Sequence, residues 1–108
     1  MKKGDIAELK MKKVLRIGDV LSEVIHKCRL TAYDSKRESI FLELIEGDFQ
    51  DISLDAIYEC SIISEECKSI CTGRVKERYC DESGKIIRLK IENGFYKINI
   101  KSVNKQIV

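Results

Sequence analysis

The dipeptide Asn93-Gly94 stands between two runs that alternate apolar with polar residues, and no other short feature constrains this chain as tightly. Both residue types tolerate positive φ, which a two-residue hairpin turn of type I′ needs at its two central positions, so the dipeptide predicts a β-hairpin. A turn there sets the pairing. Glu92 faces Phe95, Ile91 faces Tyr96, Lys90 faces Lys97, Leu89 faces Ile98 and Ile87 faces Ile100. Apolar residues then meet apolar residues, and a slip of one position would turn the whole set to the other face.

A second hairpin is expected just upstream, from Cys71 to Tyr79, round Asp81-Glu82-Ser83-Gly84-Lys85 and into Ile86. With a five-residue loop, Tyr79 lies opposite Ile87 and Val75 opposite Ile91, while Glu77 opposite Leu89 is a misfit. The outer face of this three-strand unit carries Arg78 beside Arg88, Lys76 beside Lys90, and Arg74 beside Glu92, with Lys97 one strand further. Like charges opposed across strands destabilise by an amount comparable to the roughly 0.2–1 kcal/mol of an ordinary cross-strand pair. Three such clashes call for compensation. An internal source is the acidic stretch Glu43, Glu46, Asp48, Asp51, Asp55 and Glu59; an external one is a phosphate-bearing ligand or an acidic partner. The charge distribution suits either, because the net balance runs +4 over residues 1–42, −8 over 43–67 and +6 over 68–108. Blocks of this kind point to an acidic segment packed on a basic surface, or to a partner docked there.

Further strands follow from period-two alternation. Val24, His26, Cys28, Leu30 and Ala32 form one inner face, Ile40, Leu42 and Leu44 a second, and Tyr58, Cys60 and Ile62 a third. Residues 5–15 carry Ile6, Leu9, Val14 and Leu15 among lysines, a short amphipathic helix pattern that Gly18 would end. A chain of 108 residues has room for one core. The expected fold is therefore mainly β, a small antiparallel barrel of six or seven strands over residues 24–101, preceded by a short helical lead-in over residues 1–18.

Chemistry-bearing motifs are sparse. The five cysteines, Cys28, Cys60, Cys67, Cys71 and Cys80, leave at least one thiol free in any pairing scheme and include no CxxC knuckle, which argues against both a secreted disulfide scaffold and a zinc site. They read as small buried hydrophobes. His26, the single histidine, falls on the apolar side of its strand, where a packed imidazole is the expected role. No GxSxG, HExxH or Gly-rich phosphate loop is present, so neither catalysis nor a cofactor is expected. No apolar run approaches the roughly 20 residues that span a bilayer, and no secretory signal opens the chain, which together predict a cytoplasmic protein.

The run Asp51-Ile52-Ser53-Leu54-Asp55-Ala56-Ile57, followed by a strand, a turn and Gly73-Arg74-Val75, resembles the barrel of the PilZ family of cyclic di-GMP receptors. That family carries an RxxxR segment before the barrel and a [DN]xSxxG turn within it. Asp51 and Ser53 match the turn, with Ala56 where the glycine stands; upstream, Arg16 matches one arginine, with Lys12 in the place of the other. The resemblance spans about residues 24 to 100, and it extends to the related barrel that precedes PilZ in flagellar-brake proteins, a module used for contacts. It implies a split barrel. Arg74 and Arg78 also spell RxxxR, but four residues of strand separate them by about 13 Å, too far to wrap one compact nucleotide.

Three functions are thereby expected in order. The first is a non-catalytic binding or interaction module using the basic face of Arg74, Lys76, Arg78, Arg88, Lys90 and Lys97, with a protein partner, an anionic ligand, or a second copy paired along the edge of residues 95–101. The second is a cyclic di-GMP sensor using Arg16, Asp51 and Ser53. The third is nucleic-acid binding through the same basic face.

Overall fold

A computed structural model describes residues 2–12, 24–47, 49–65 and 67–99. Six antiparallel strands, β1 (Ile6–Met11), β2 (Ile25–Asp34), β3 (Ser39–Glu46), β4 (Ile57–Ser64), β5 (Cys67–Asp81) and β6 (Gly84–Asn99), close into a barrel in the order β1-β2-β3-β6-β5-β4. One 3-10 turn, Phe49–Asp51, lies between β3 and β4. The alternating inner positions fill the barrel. Ala7, Leu9, Cys28, Leu42, Tyr58, Cys60, Val75, Ile87 and Leu89 are buried, as a barrel this narrow requires, since its interior is just wide enough for side chains. No described helix is long and apolar enough to cross a membrane.

The mainly β class and the six-stranded antiparallel barrel agree with the sequence; the N-terminal helix does not. Residues 6–11 form β1, which pairs Ile6 with Arg29 on β2 and with Ile63 on β4, and so closes the ring. The pattern of Ala7 and Leu9 inside with Ile6, Glu8 and Lys10 outside has period two, so Lys10, one of the lysines that suggested a polar helix face, lies on the barrel's exterior. Residues 13–18 of the expected lead-in, with Arg16, lie outside the described residues.

Asn93-Gly94 makes no turn. β6 runs unbroken from Gly84 to Asn99 along β5, with Gly73 opposite Ile91 and Ile70 opposite Tyr96. Between those pairs β6 takes five residue steps where β5 takes three, so the dipeptide sits in a bulged stretch that bends the strand instead of reversing it. Gly94 is not at positive φ, and Asn93 uses its side chain to donate to Thr72 Oγ1 at 3.0 Å. The reversal lies upstream, at the two residues Glu82 and Ser83, where Asp81 pairs with Gly84 and Gly84 takes φ 120°. The five-residue loop is thus two residues long, and Tyr79 meets Ile86, not Ile87.

A second bulge matters more for the outer surface. Val75 pairs with Leu89 and Glu77 with Arg88, which leaves Lys76 as an extra residue on β5. Beyond it the facing of β5 is inverted. The expected misfit of Glu77 against Leu89 disappears, because the bulge turns Glu77 outward.

Candidate functional site

These two irregularities keep Arg74, Lys76, Arg88 and Lys90 on one outer stretch and take Arg78 and Lys97 out of it. Arg88 lies opposite Glu77 and donates from Nε to Glu77 Oε1 at 2.6 Å and from Nη1 to Ser39 Oγ at 3.2 Å. Arg78 stands opposite the core residue Ile87, at the rim of the barrel, where Nη1 donates to the Ile52 carbonyl at 2.6 Å and the guanidinium lies 5.9 Å from the centre of the Phe49 ring. Lys97 stands opposite Ser69 and lines a separate cleft of about 340 Å³ with Lys2, Asp5, Ser64 and Ser69. None of the three like-charge pairs forms. One unforeseen pair does, Arg74 opposite Lys90, and it is relieved by the ion pair of Arg74 Nε with Glu92 Oε2 at 3.1 Å, a contact the sequence did place.

Compensation comes from inside the chain. The connection from the 3-10 turn to β4 folds back on β5, with Asp55 N donating to the Val75 carbonyl and Val75 N to the Ala56 carbonyl. Asp55 takes the left-handed φ of 62° that this reversal needs, and aspartate is among the few residues that accept it. In that position its carbonyl accepts from Arg74 Nη1 at 2.8 Å and its carboxylate from Lys76 Nζ at 3.0 Å. Glu43 performs the same service for Arg29 on β2, at 3.4 Å. Among the described residues of the basic face, Lys90 and Lys97 are exposed without a carboxylate partner, and Arg78 is held by a backbone carbonyl.

Asp51 and Ser53 are exposed beside this docked connection. The Ser53 amide donates to the Tyr58 hydroxyl at 2.9 Å, which ties the turn to a fully buried core residue, and Arg78 holds the intervening Ile52 carbonyl. His26 is buried and packs edge-on against Tyr58, with ring centres 6.4 Å apart, which is the packed role expected of it. Loss of hydration holds its pKa below the ordinary value, and the Asp51 carboxylate opposes that shift.

One concavity on the exterior was not singled out by the sequence. It is a cleft of about 510 Å³ across β2, β3, β6 and β5, between the Lys3-Gly4 turn and the β5–β6 turn. Phe41 and Tyr79 flank Ile86, which is only 3% exposed although its register partners Glu43 and Tyr79 face outward. Lys3 and Arg29 stand on one side of this apolar floor and Asp81 on the other. The signal was hidden because the Lys76 bulge is what turns Tyr79 to this face.

β6 offers a different feature. β3 accompanies it only along residues 86–90, and the Ile91 amide makes the last contact on that side, with the Glu38 carbonyl at 2.7 Å. From Glu92 to Ile98 the strand has β5 as its one strand partner among the described residues, and Tyr96 and Ile98 are exposed. Phe95 turns the other way, its ring 6.0 Å from that of Tyr33.

No family model matches the chain, and neither a curated protein nor a solved structure matches it.

Proposed function

We propose that the chain is a non-catalytic binding module of the PilZ-like, split-barrel type, acting in the cytoplasm and meeting its partner on the outer sheet face. The supporting observation is the cleft over Ile86. Side chains fill the barrel, so a ligand of any size is met on the outside, and 510 Å³ is within the range of about 300–1,000 Å³ typical of ligand sites. Phe41 and Tyr79 supply apolar area, and the charged lining is balanced, Lys3 and Arg29 against Glu43 and Asp81. Outside the cleft, the unpartnered Lys90 gives the neighbouring surface a preference for acidic or anionic partners. A photo-crosslinking residue placed at Phe41 or Tyr79 tests this. Discrete covalent adducts from both positions in cells, with none from Arg37 on the opposite turn, are the expected result; no adduct from either cleft position rejects the reading.

The cyclic di-GMP sensor is a second reading, supported by the way Tyr58 and Arg78 hold the turn that presents Asp51 and Ser53. Calorimetric titration decides it, since no heat at high micromolar cyclic di-GMP excludes it. Nucleic-acid binding draws least support, because Arg74, Lys76 and Arg88 already hold acidic partners. Pairing of two copies along residues 92–98 is the form of self-association that the open edge of β6 favours, with Lys97 opposing it.

A further inference from the structure

Cys60 on β4 and Cys71 on β5 are register partners, directly opposite each other across the ladder. Both are buried and both thiols are free. Opposed residues in an antiparallel pair have Cα atoms about 4.5 or 5.5 Å apart, depending on whether the pair is hydrogen-bonded, and a disulfide is accommodated over about 4.4–6.8 Å. Either kind of pair lies within that window, so a bond between these two residues requires no displacement of a strand.

The other three thiols have no such partner. Cys28 lies opposite Ala7 and Leu44, Cys67 opposite Ser64 and Asn99, and Cys80 opposite Lys85. Cys67 and Cys71 share a strand but are four residues apart, about 13 Å, beyond the reach of a disulfide. Of the ten pairs that five cysteines allow, the ladder selects one.

A cleft adjoins the pair. The bulged stretch of β6 leaves a space of about 230 Å³, lined by Lys12, Glu59, Thr72, Asn93, Gly94 and Cys71. No atom comes within 4 Å of the place where a Cβ on Gly94 would be. Cys71 borders this space but is 1% exposed, so a local opening of the bulged stretch must precede attack on its sulfur, and Cys60, which does not border it, is the less accessible of the two.

We propose that Cys60 and Cys71 are a redox-convertible pair, which a peroxide-class oxidant joins into a cross-strand disulfide locking β4 to β5. The Cys71 sulfur attacks one peroxide oxygen and the O–O bond breaks. Cys71 becomes a sulfenic acid, and the displaced oxygen leaves as water with the thiol proton. The Cys60 sulfur then attacks the Cys71 sulfur, the S–S bond forms, the S–O bond breaks, and a second water leaves with the Cys60 proton. Two thiols lose two electrons and two protons, and the peroxide is reduced to two waters. The neighbouring Cys71 and burial raise the pKa of the Cys60 thiol, so its attack waits on loss of that proton and the second step is the slower one. Burial pushes the Cys28 thiol up to about 12 and leaves it a bystander.

The test uses the full chain, folded, treated with hydrogen peroxide and then alkylated. Expected are the loss of two hydrogens from the intact mass, a non-reducing peptide map that joins the Cys60 and Cys71 peptides, reversal by dithiothreitol, and a rise in Tm of about 5 °C. Cys60→Ser should instead leave a sulfenic acid at Cys71 that dimedone traps, and Cys71→Ser should give neither product. The map on the unsubstituted chain stands even if a variant fails to fold. Five alkylatable thiols after peroxide, a different cysteine pair, or a Cys60–Cys71 bond that forms only in urea would overturn the proposal.

Discussion

Arg88 and Glu77 face each other across β5 and β6 with 2.6 Å between Nε and Oε1, in a register that exists only because Lys76 is bulged out of the ladder. The Arg88 side chain is 19% exposed and that of Glu77 50%, so the guanidinium is the enclosed partner. Glu77→Gln leaves that charge without its carboxylate and should cost about 1 kcal/mol, the upper end for surface pairs, after allowing for the open side of Glu77. Arg37 pairs with Asp34 at 3.6 Å with its own side chain 66% exposed, and Arg37→Gln should cost close to nothing. Urea midpoints of the two variants check the contrast.

Lys76 has two separable roles, an ion pair and a place in the chain. Lys76→Ala removes only the contact to Asp55, whose carboxylate is mostly exposed, and should change stability by less than about 0.5 kcal/mol. Deleting Lys76 removes the bulge. Val75 is then followed directly by Glu77, which stays outward opposite Arg88, with Arg78 still opposite Ile87, so the ladder becomes regular and the deletion should cost within about 1 kcal/mol of the alanine variant. A loss of more than about 2 kcal/mol for the deletion would show that the bulge itself, and not these pairings, holds this stretch of β5.

Two glycines separate the observed course of β6 from the hairpin that the sequence suggests. A Cβ on Gly73 would lie 2.4 Å from the Lys90 carbonyl oxygen, a backbone atom that cannot move aside, whereas a Cβ on Gly94 meets open space. Gly73→Ala should therefore destabilise by more than about 2 kcal/mol. Gly94→Ala should be neutral to within about 0.5 kcal/mol, because φ there is not positive. A type I′ turn at Asn93-Gly94 demands the opposite for Gly94, a substantial loss, so thermal melts of the two variants distinguish the architectures.

The inner faces of β2, β3 and β4 were legible because period-two alternation over His26, Cys28 and Leu30, over Ile40, Leu42 and Leu44, and over Tyr58, Cys60 and Ile62 needs no tertiary information. β1 was not. Six residues with two buried positions satisfy a helical and a strand period almost equally, and the decision is made by β2 and β4 on either side. Asn93-Gly94 gave a correct warning of irregular backbone and a wrong form for it, since bulges and turns draw on the same residue types. The candidate surface changed in part for a related reason. Projecting Arg74, Lys76, Arg78, Arg88, Lys90 and Lys97 onto one face assumes strict alternation, and the bulges take Arg78 and Lys97 out of it while Arg74, Lys76, Arg88 and Lys90 stay on the exterior together. What survived was the reasoning from charge, because an acidic segment placed near Arg74 and Lys76 follows from the unfavourable cost of leaving like charges opposed, whatever the register.

His26 gives the barrel a pH dependence of defined sign. Burial beside Tyr58 holds its folded pKa below the unfolded value near 6.5, so the folded state binds fewer protons than the unfolded state over that interval. Above pH 6.5 both states are neutral and this residue contributes no slope. As the pH falls below 6.5 the unfolded chain takes up the proton first, and stability declines until the folded pKa is passed. Asp51 limits the decline, because its carboxylate favours the imidazolium. Asp51→Asn should lower the folded pKa further and so extend the decline to lower pH, while His26→Gln should flatten the profile in this window. Urea midpoints between pH 7.5 and 5 for the three proteins carry the test. A flat profile for the unsubstituted chain, or a shallower one for Asp51→Asn, would show that His26 is solvated rather than held against Tyr58.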